Sequence, residues 1–206
     1  MDTAPKPKAA RARHAASLIL LRGDPANPEM LMGMRGAKHR FLPNRLVFPG
    51  GSVDPADLRA PCATPLSERT EWALRKAANP RLAFGLASCA ARELEEETGL
   101  SLGSPPDLGV LAYLMRAVAP LTAPVRFNAR FFVAWDSNVT GQLGGDGELE
   151  NLRYYGLQEA LDLDLATPTR RVVEYLREWL AMPDADKAAA AKTFVLRARE
   201  PRRWME

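Results

Sequence analysis

From Asn79 to Gly99 the chain reads NPRLAFGLASCAARELEEETG, and few folds can accommodate such a segment. Asn79 followed by Pro80 is a favoured N-cap and N1 pair, and Gly99 is a favoured residue just past a helix end, so the spacing predicts one helix between them. Ala87, Ala91 and Leu94 give it a packing side. Its last turns carry Glu93, Glu95, Glu96 and Glu97. Like charges at helical neighbour spacing cost about 0.2–0.5 kcal/mol per pair, and carboxylates near a C-terminus meet the unfavourable end of the helix dipole. Glu93, Glu96 and Glu97 fall within an arc of roughly 100°, while Glu95 points away. Three carboxylates on one face, with no histidine or thiolate among them, suit a hard divalent cation with oxygen ligands. Spacing alone is equally compatible with a solvated glutamate-rich face. Local unfavourability of this kind nonetheless marks a candidate functional site.

The elements around this helix set the fold class. ASLILLRG and EMLMGMRG are short, apolar and flanked by the turn-rich GDPANPE, which predicts a hairpin; NRLVFPGG is a third strand ending in two glycines. LSERTEWALRKAA reads as an amphipathic helix. LGVLAYLMRAVAP and VRFNARFFVAWD read as strands, the second alternating around Phe127, Phe131 and Val133. After the glycine-rich SNVTGQLGGDGELEN come a short strand (LRYYGL), a helical turn (QEALDLD) and an amphipathic helix (TPTRRVVEYLREWLA), trailed by the alanine-rich DADKAAAAKTFVL. Strands, then a helix, then more strands and helices predict a mixed α/β sandwich and not a regularly alternating parallel sheet.

A chain of 206 residues accommodates one domain with a substantial core. Residues 1–14, rich in Pro, Ala, Lys and Arg without periodicity, are expected to form a flexible tail, and 15–206 a single domain. The apolar run AASLILL is too short to cross a membrane. Two cysteines, Cys62 and Cys89, form no metal-binding spacing, and a reducing cytoplasm is the simplest setting. The formal charge of +3, with no basic stripe interleaved with aromatics, argues against a nucleic-acid partner. His14 and His39 do not form a catalytic pair, and GLASCA lacks the glycine-flanked nucleophile elbow of serine hydrolases.

RELEEETGL, preceded at a distance by FPGG, resembles the signature of the Nudix (MutT-type) hydrolases. The resemblance implies the Nudix fold, an α/β/α arrangement with a mixed sheet between helices, and hydrolysis of a diphosphate linkage with Mg²⁺ or Mn²⁺. It implies Glu93, Glu96 and Glu97 as metal ligands with the carbonyl of Gly51, and Arg92 as the residue orienting them. Glu97 or Glu148 would be the general base; Glu150 is less favoured. A further glutamate usual between the glycine pair and the arginine is absent at the usual spacing, where Ala78 and Phe84 stand. Residues 52–89 interrupt the signature as a helical insertion, as in a subgroup related to peroxisomal coenzyme A diphosphatases. In that subgroup's pattern LMGMRGAKHRFLPNRLVFPGG keeps Leu31, Arg35 and Arg40 in register. Arg35 and Arg40, with Arg126 and Arg130 downstream, become substrate-binding candidates, because guanidinium forks match phosphate oxygens. The implied substrate is a small nucleoside-diphosphate derivative, coenzyme A or an acyl-coenzyme A first. ADP-ribose, a dinucleotide or a nucleoside triphosphate is the second reading, and a non-catalytic nucleotide-binding module the third. By analogy with the fold, a homodimer would form through residues 52–79 or the C-terminal helices.

Overall fold

The structure is a computed structural model that describes residues 11–36, 43–121, 123, 125–195 and 202–205. Its centre is β1 (Arg13–Arg22), which runs parallel to β7 (Phe127–Trp135) along its whole length. β6 (Ala112–Val118) pairs antiparallel with β7, and β10 (Lys192–Val195) lies parallel to β6, with β11 (Arg202–Met205) beyond it. The other edge of β1 is shared. β2 (Glu29–Arg35) pairs with Leu21 and Arg22, while β4 (Gly50–Ser52) pairs with Ala15, Ala16 and Ser17. β3 (Leu46–Val47) and β9 (Leu149–Gly156) both extend β2. The sheet therefore forks on one side of β1.

Alternation along β1 assigns the two faces. Ala16, Leu18 and Leu20 join a buried cluster with Leu86, Ala87, Ala90 and Leu94 of α2 (Pro80–Thr98). Ile19 and Leu21 join Val172, Val173 and Leu176 of α4 (Thr167–Leu180). Each face buries apolar side chains against helices, which is the α/β/α arrangement expected. α2 starts and stops where its caps predict: the Asn79 side chain accepts from Leu82 N at 2.8 Å, and Gly99 closes it in the left-handed conformation.

The segment between Gly51 and Arg92 holds a 3₁₀ turn at Asp57–Arg59, then α1 (Glu68–Arg75), and residues 80–89 supply the first half of α2. Ala73 and Leu74 of α1 are buried in the same cluster as α2. The interrupting segment thus builds part of the core. Three other sequence expectations differ. β1 begins at Arg13, inside the stretch expected to be a tail, while residues 1–10 lie outside the described residues. The glycine-rich loop is shorter than expected, because β9 already begins at Leu149. The alanine-rich end supplies α5 (Asp184–Lys187) and the strand β10, whose pairing with β6 is a tertiary contact without a local signal.

Candidate active site

The C-terminal turns of α2 are organised by Arg92. Its Nε and one terminal nitrogen reach the two oxygens of Asp57 at 2.9 and 3.1 Å, and its other terminal nitrogen reaches Glu93 and Glu96, each at 2.8 Å. It also donates to the carbonyl of Ser52 at 3.2 Å. The bidentate pair with Asp57 is the strong one, since it is planar, charge-assisted and buried on the carboxylate side. Hydrogen bonding to Asp57 raises the guanidinium further above its ordinary value. Asp57 is the residue that sequence reasoning missed. It lies in the early part of the interrupting segment, close after the glycine pair, where a count backward from Arg92 does not look.

Glu97 is the most buried of the four glutamates, with 1% of its side chain exposed. Its Oε2 accepts from Gly50 N at 2.7 Å, while Oε1 is buried without a hydrogen-bond partner and lies 3.7 Å from a terminal nitrogen of Arg35. Burial, opposed by the Gly50 amide and by Arg35, pushes the Glu97 carboxyl up to about 8. Glu93 is raised as well, chiefly by burial. Gly51 makes room for it: a Cβ there would stand 2.3 Å from a Glu93 oxygen. Arg35 also donates to the Gly50 carbonyl at 3.3 Å, and its Nε is buried without a partner.

The glycine-rich loop completes this end. Gly144 N donates to the Thr98 carbonyl at 2.8 Å and Asp146 N to the Glu96 carbonyl at 3.0 Å, so the loop meets two of the carbonyls that α2 leaves open. This docking brings Glu148 to the wall of a chamber of about 340 Å³ that it shares with Glu93, Arg35, Gly50 and Gly51. The chamber occupies the fork beside β1. Its remaining walls are mostly apolar, including Phe48, Ala117, Phe127, Ala129 and Phe131, and Pro168 and Thr169 of α4 also line it.

Not every expected residue reaches it. Glu96 is 52% exposed and tied to Arg92, so the three carboxylates do not converge as one triad. Among the described residues no group of three or more His, Cys, Asp or Glu is gathered closely enough to hold a metal ion. The Gly51 carbonyl accepts a long contact from Cys89 Sγ at 3.6 Å, and the Cys89 thiol is pushed up by burial. Arg130, a substrate-binding candidate from the sequence, does not line the chamber and is 1% exposed. It donates to the carbonyls of Ala77 at 2.9 Å and Asn128 at 3.0 Å, which fastens the end of the α1 segment to the sheet. Arg126 donates to the carbonyls of Pro120 and Ala119 and does not line the chamber. Arg40 lies outside the described residues. Glu95 is exposed, as expected, and accepts from the Ser101 hydroxyl. Glu150 is exposed, and Glu148 is the glutamate of its pair that faces the chamber.

These residues fit a hard cation. A buried Glu97 carboxylate oxygen without a hydrogen-bond partner, a Glu93 carboxylate given space by Gly51, and donors that are all oxygens are the features such an ion requires. The separation of Glu96 is an ion pair across one helical turn, a half-exposed contact of small worth that an ion could replace.

Residues 85–176 match the family model described as the NUDIX domain, starting inside α2, after most of the interrupting segment. A NUDIX hydrolase from Alicyclobacillus acidocaldarius is 26% identical with a TM-score of 0.61, over 80% of this chain and 90% of that one. A MutT protein from Bacillus halodurans superposes with a TM-score of 0.58 at 13% identity, covering 94% of this chain and 99% of that one. The NUDIX domain of Shewanella oneidensis NrtR, complexed with ADP ribose, does so at 0.53 and 18% identity, covering 86% and 94%. No functionally curated protein matches.

Proposed function

We propose that this chain, a Nudix hydrolase in fold and domain, cleaves the diphosphate linkage of coenzyme A or an acyl-coenzyme A at the acidic residues of the chamber. The observation that carries the reading is that Glu93, Glu148 and Arg35 line the same mostly apolar cavity as Gly50 and Gly51. Glu93 and Glu97 would hold Mg²⁺ or Mn²⁺, joined by Glu96 on release from Arg92. When bound, such an ion neutralises charge on the diphosphate and acidifies a water.

The chain's own residues do the rest. Arg35, which lines the chamber, would offer its guanidinium to phosphate oxygens in a forked geometry. Glu148 takes the proton of the attacking water, a contribution of roughly 10²–10⁴-fold for a positioned general base. Arg92, fixed by Asp57, holds Glu93 in its orientation. Phosphoryl transfer asks mainly for positioning and charge stabilisation, so rigidity of this cluster matters more than nucleophilicity of any one group. The apolar walls favour the aliphatic arm of coenzyme A over a sugar.

The test is a screen of coenzyme A, acetyl-coenzyme A, NADH, ADP-ribose and dNTPs with Mg²⁺ or Mn²⁺, reading phosphate after a coupled phosphatase. Coenzyme A or its thioester should be turned over best, and Glu97→Gln should lower turnover by about 10²-fold or more. Preference for ADP-ribose would refute the substrate assignment. Tight nucleotide binding without turnover would make the chain a binding module. A Glu97→Gln rate near wild type would refute the site.

A further inference from the structure

Arg35, Gly50, Gly51, Glu93 and Glu148 line the chamber, but Glu97, 1% exposed, does not. Two of those lining residues stand against it. Gly50 N holds Glu97 Oε2 at 2.7 Å, and a terminal nitrogen of Arg35 lies 3.7 Å from Oε1. Arg35 is itself only 15% exposed, so a guanidinium and a glycine cover the carboxylate that a cation would need.

The two holds on Glu97 differ in strength. The amide contact is short and fixes Oε2 to β4. The arginine contact is longer than a hydrogen bond, and the same nitrogen reaches the Gly50 carbonyl only at 3.3 Å. This one pair of side chains therefore keeps a buried acceptor, Glu97 Oε1, and a buried donor, Arg35 Nε, each without a hydrogen bond. Unmet buried groups cost free energy that a better partner for either residue would recover. Arg92, by contrast, reaches Asp57, Glu93 and Glu96 at 2.8 to 3.1 Å and has no such slack.

We infer that Arg35 is a latch on Glu97 that a diphosphate opens. Anionic oxygens in the chamber offer the guanidinium the forked partner it lacks, and as Arg35 turns to them Glu97 Oε1 is uncovered for a divalent cation. The exchange also runs from the other side, because a cation at Glu97 repels the guanidinium toward the chamber. Cation and diphosphate thus bind cooperatively, each strengthening the other by the same factor. The inference rests on the seat proposed above for a cation on Glu93 and Glu97. It holds for any nucleoside diphosphate derivative, whatever group the diphosphate carries.

The probe is adenosine 5′-(α,β-methylene)diphosphate, whose bridge resists hydrolysis, titrated calorimetrically into the full chain with and without saturating Mg²⁺. The quantity read is the factor by which Mg²⁺ raises its affinity. In wild type that factor should be about tenfold or more. It should fall by about threefold or more in Arg35→Met and in Glu97→Gln, and the double variant should lie within about twofold of the lower single, because one exchange is lost only once. An arginine that merely binds phosphate would lose affinity equally with and without Mg²⁺ and leave the factor unchanged; that result, or additive losses in the double variant, overturns the inference. Should the variants fold poorly, wild type decides alone: equal affinity with and without Mg²⁺, or no binding of the probe, overturns it. If coenzyme A is cleaved and the factor survives in Arg35→Met, the latch is wrong and the diphosphatase reading stands. If the factor collapses in Arg35→Met and coenzyme A is not cleaved, the latch stands and the substrate assignment falls.

Discussion

The two halves of α2 are built from the same backbone and opposite side-chain chemistry. Through its first half, Ala83, Leu86, Ala87 and Cys89 are fully buried, and the Asn79 cap meets an open amide. Through its second half, four glutamates crowd into the last turns, Glu97 keeps a buried oxygen without a hydrogen-bond partner, and one arginine is shared among three carboxylates. The first half contributes stability through area removed from water. The second gives some of it up to hold charges where water is scarce, which is the usual signature of a site.

Substitutions in each half should therefore separate folding from chemistry. Leu86→Ala should cost about 2–5 kcal/mol in denaturant unfolding while the folded fraction keeps its turnover per molecule. A large fall in kcat at unchanged stability would erase the contrast. Asp57→Asn removes the charge that fixes Arg92 and should cost about 1.5–3 kcal/mol, and unlike Leu86→Ala it should also lower kcat, because Glu93 loses its orienting partner.

The pH dependence of stability comes next in size. Glu97 titrates at about 8 in the folded protein against an ordinary 4.5, so between those values the native state keeps a proton that the unfolded chain has released. Stability from this group is present in full below pH 4.5 and is lost as pH rises through about 8. In chelator-treated protein Tm should fall over that window, Glu97→Gln should flatten the profile, and Mg²⁺ should restore Tm at pH 8. A flat wild-type profile would place the Glu97 charge in a far better solvated setting. Smallest of all, Glu95→Gln should leave stability within about 0.5 kcal/mol and turnover within twofold, since its carboxylate is exposed.

How much of this was readable in advance depends on whether the signal was local. Both ends of α2 were legible, because a cap and a left-handed glycine are properties of a few consecutive residues. The acidic stripe was legible in part: periodicity put Glu96 beside Glu93 and Glu97, but Arg92 one turn earlier draws it outward. Arg130 lies away from the chamber, and its strand held the signal for that placement. Phe127, Ala129 and Phe131 line the chamber, so alternation sends Arg130 to the opposite face. Asp57 was illegible for another reason. Its pairing with Arg92 spans the whole interrupting segment, and only folding shows that the long excursion returns to where it started. The strand at Lys192–Val195 likewise exists because β6 offers it an edge.

The two amides that the glycine-rich loop gives to the carbonyls of Glu96 and Thr98 bind one carboxylate-bearing segment to another. Lifting the loop would expose the last turn of α2 and carry Glu148 away from Glu93 in a single event. The loop and the helix end thus form one cooperative unit of local unfolding, with the amides of Gly144 and Asp146 exchanging their hydrogens together. A cation seated between those segments would slow that exchange from both sides at once.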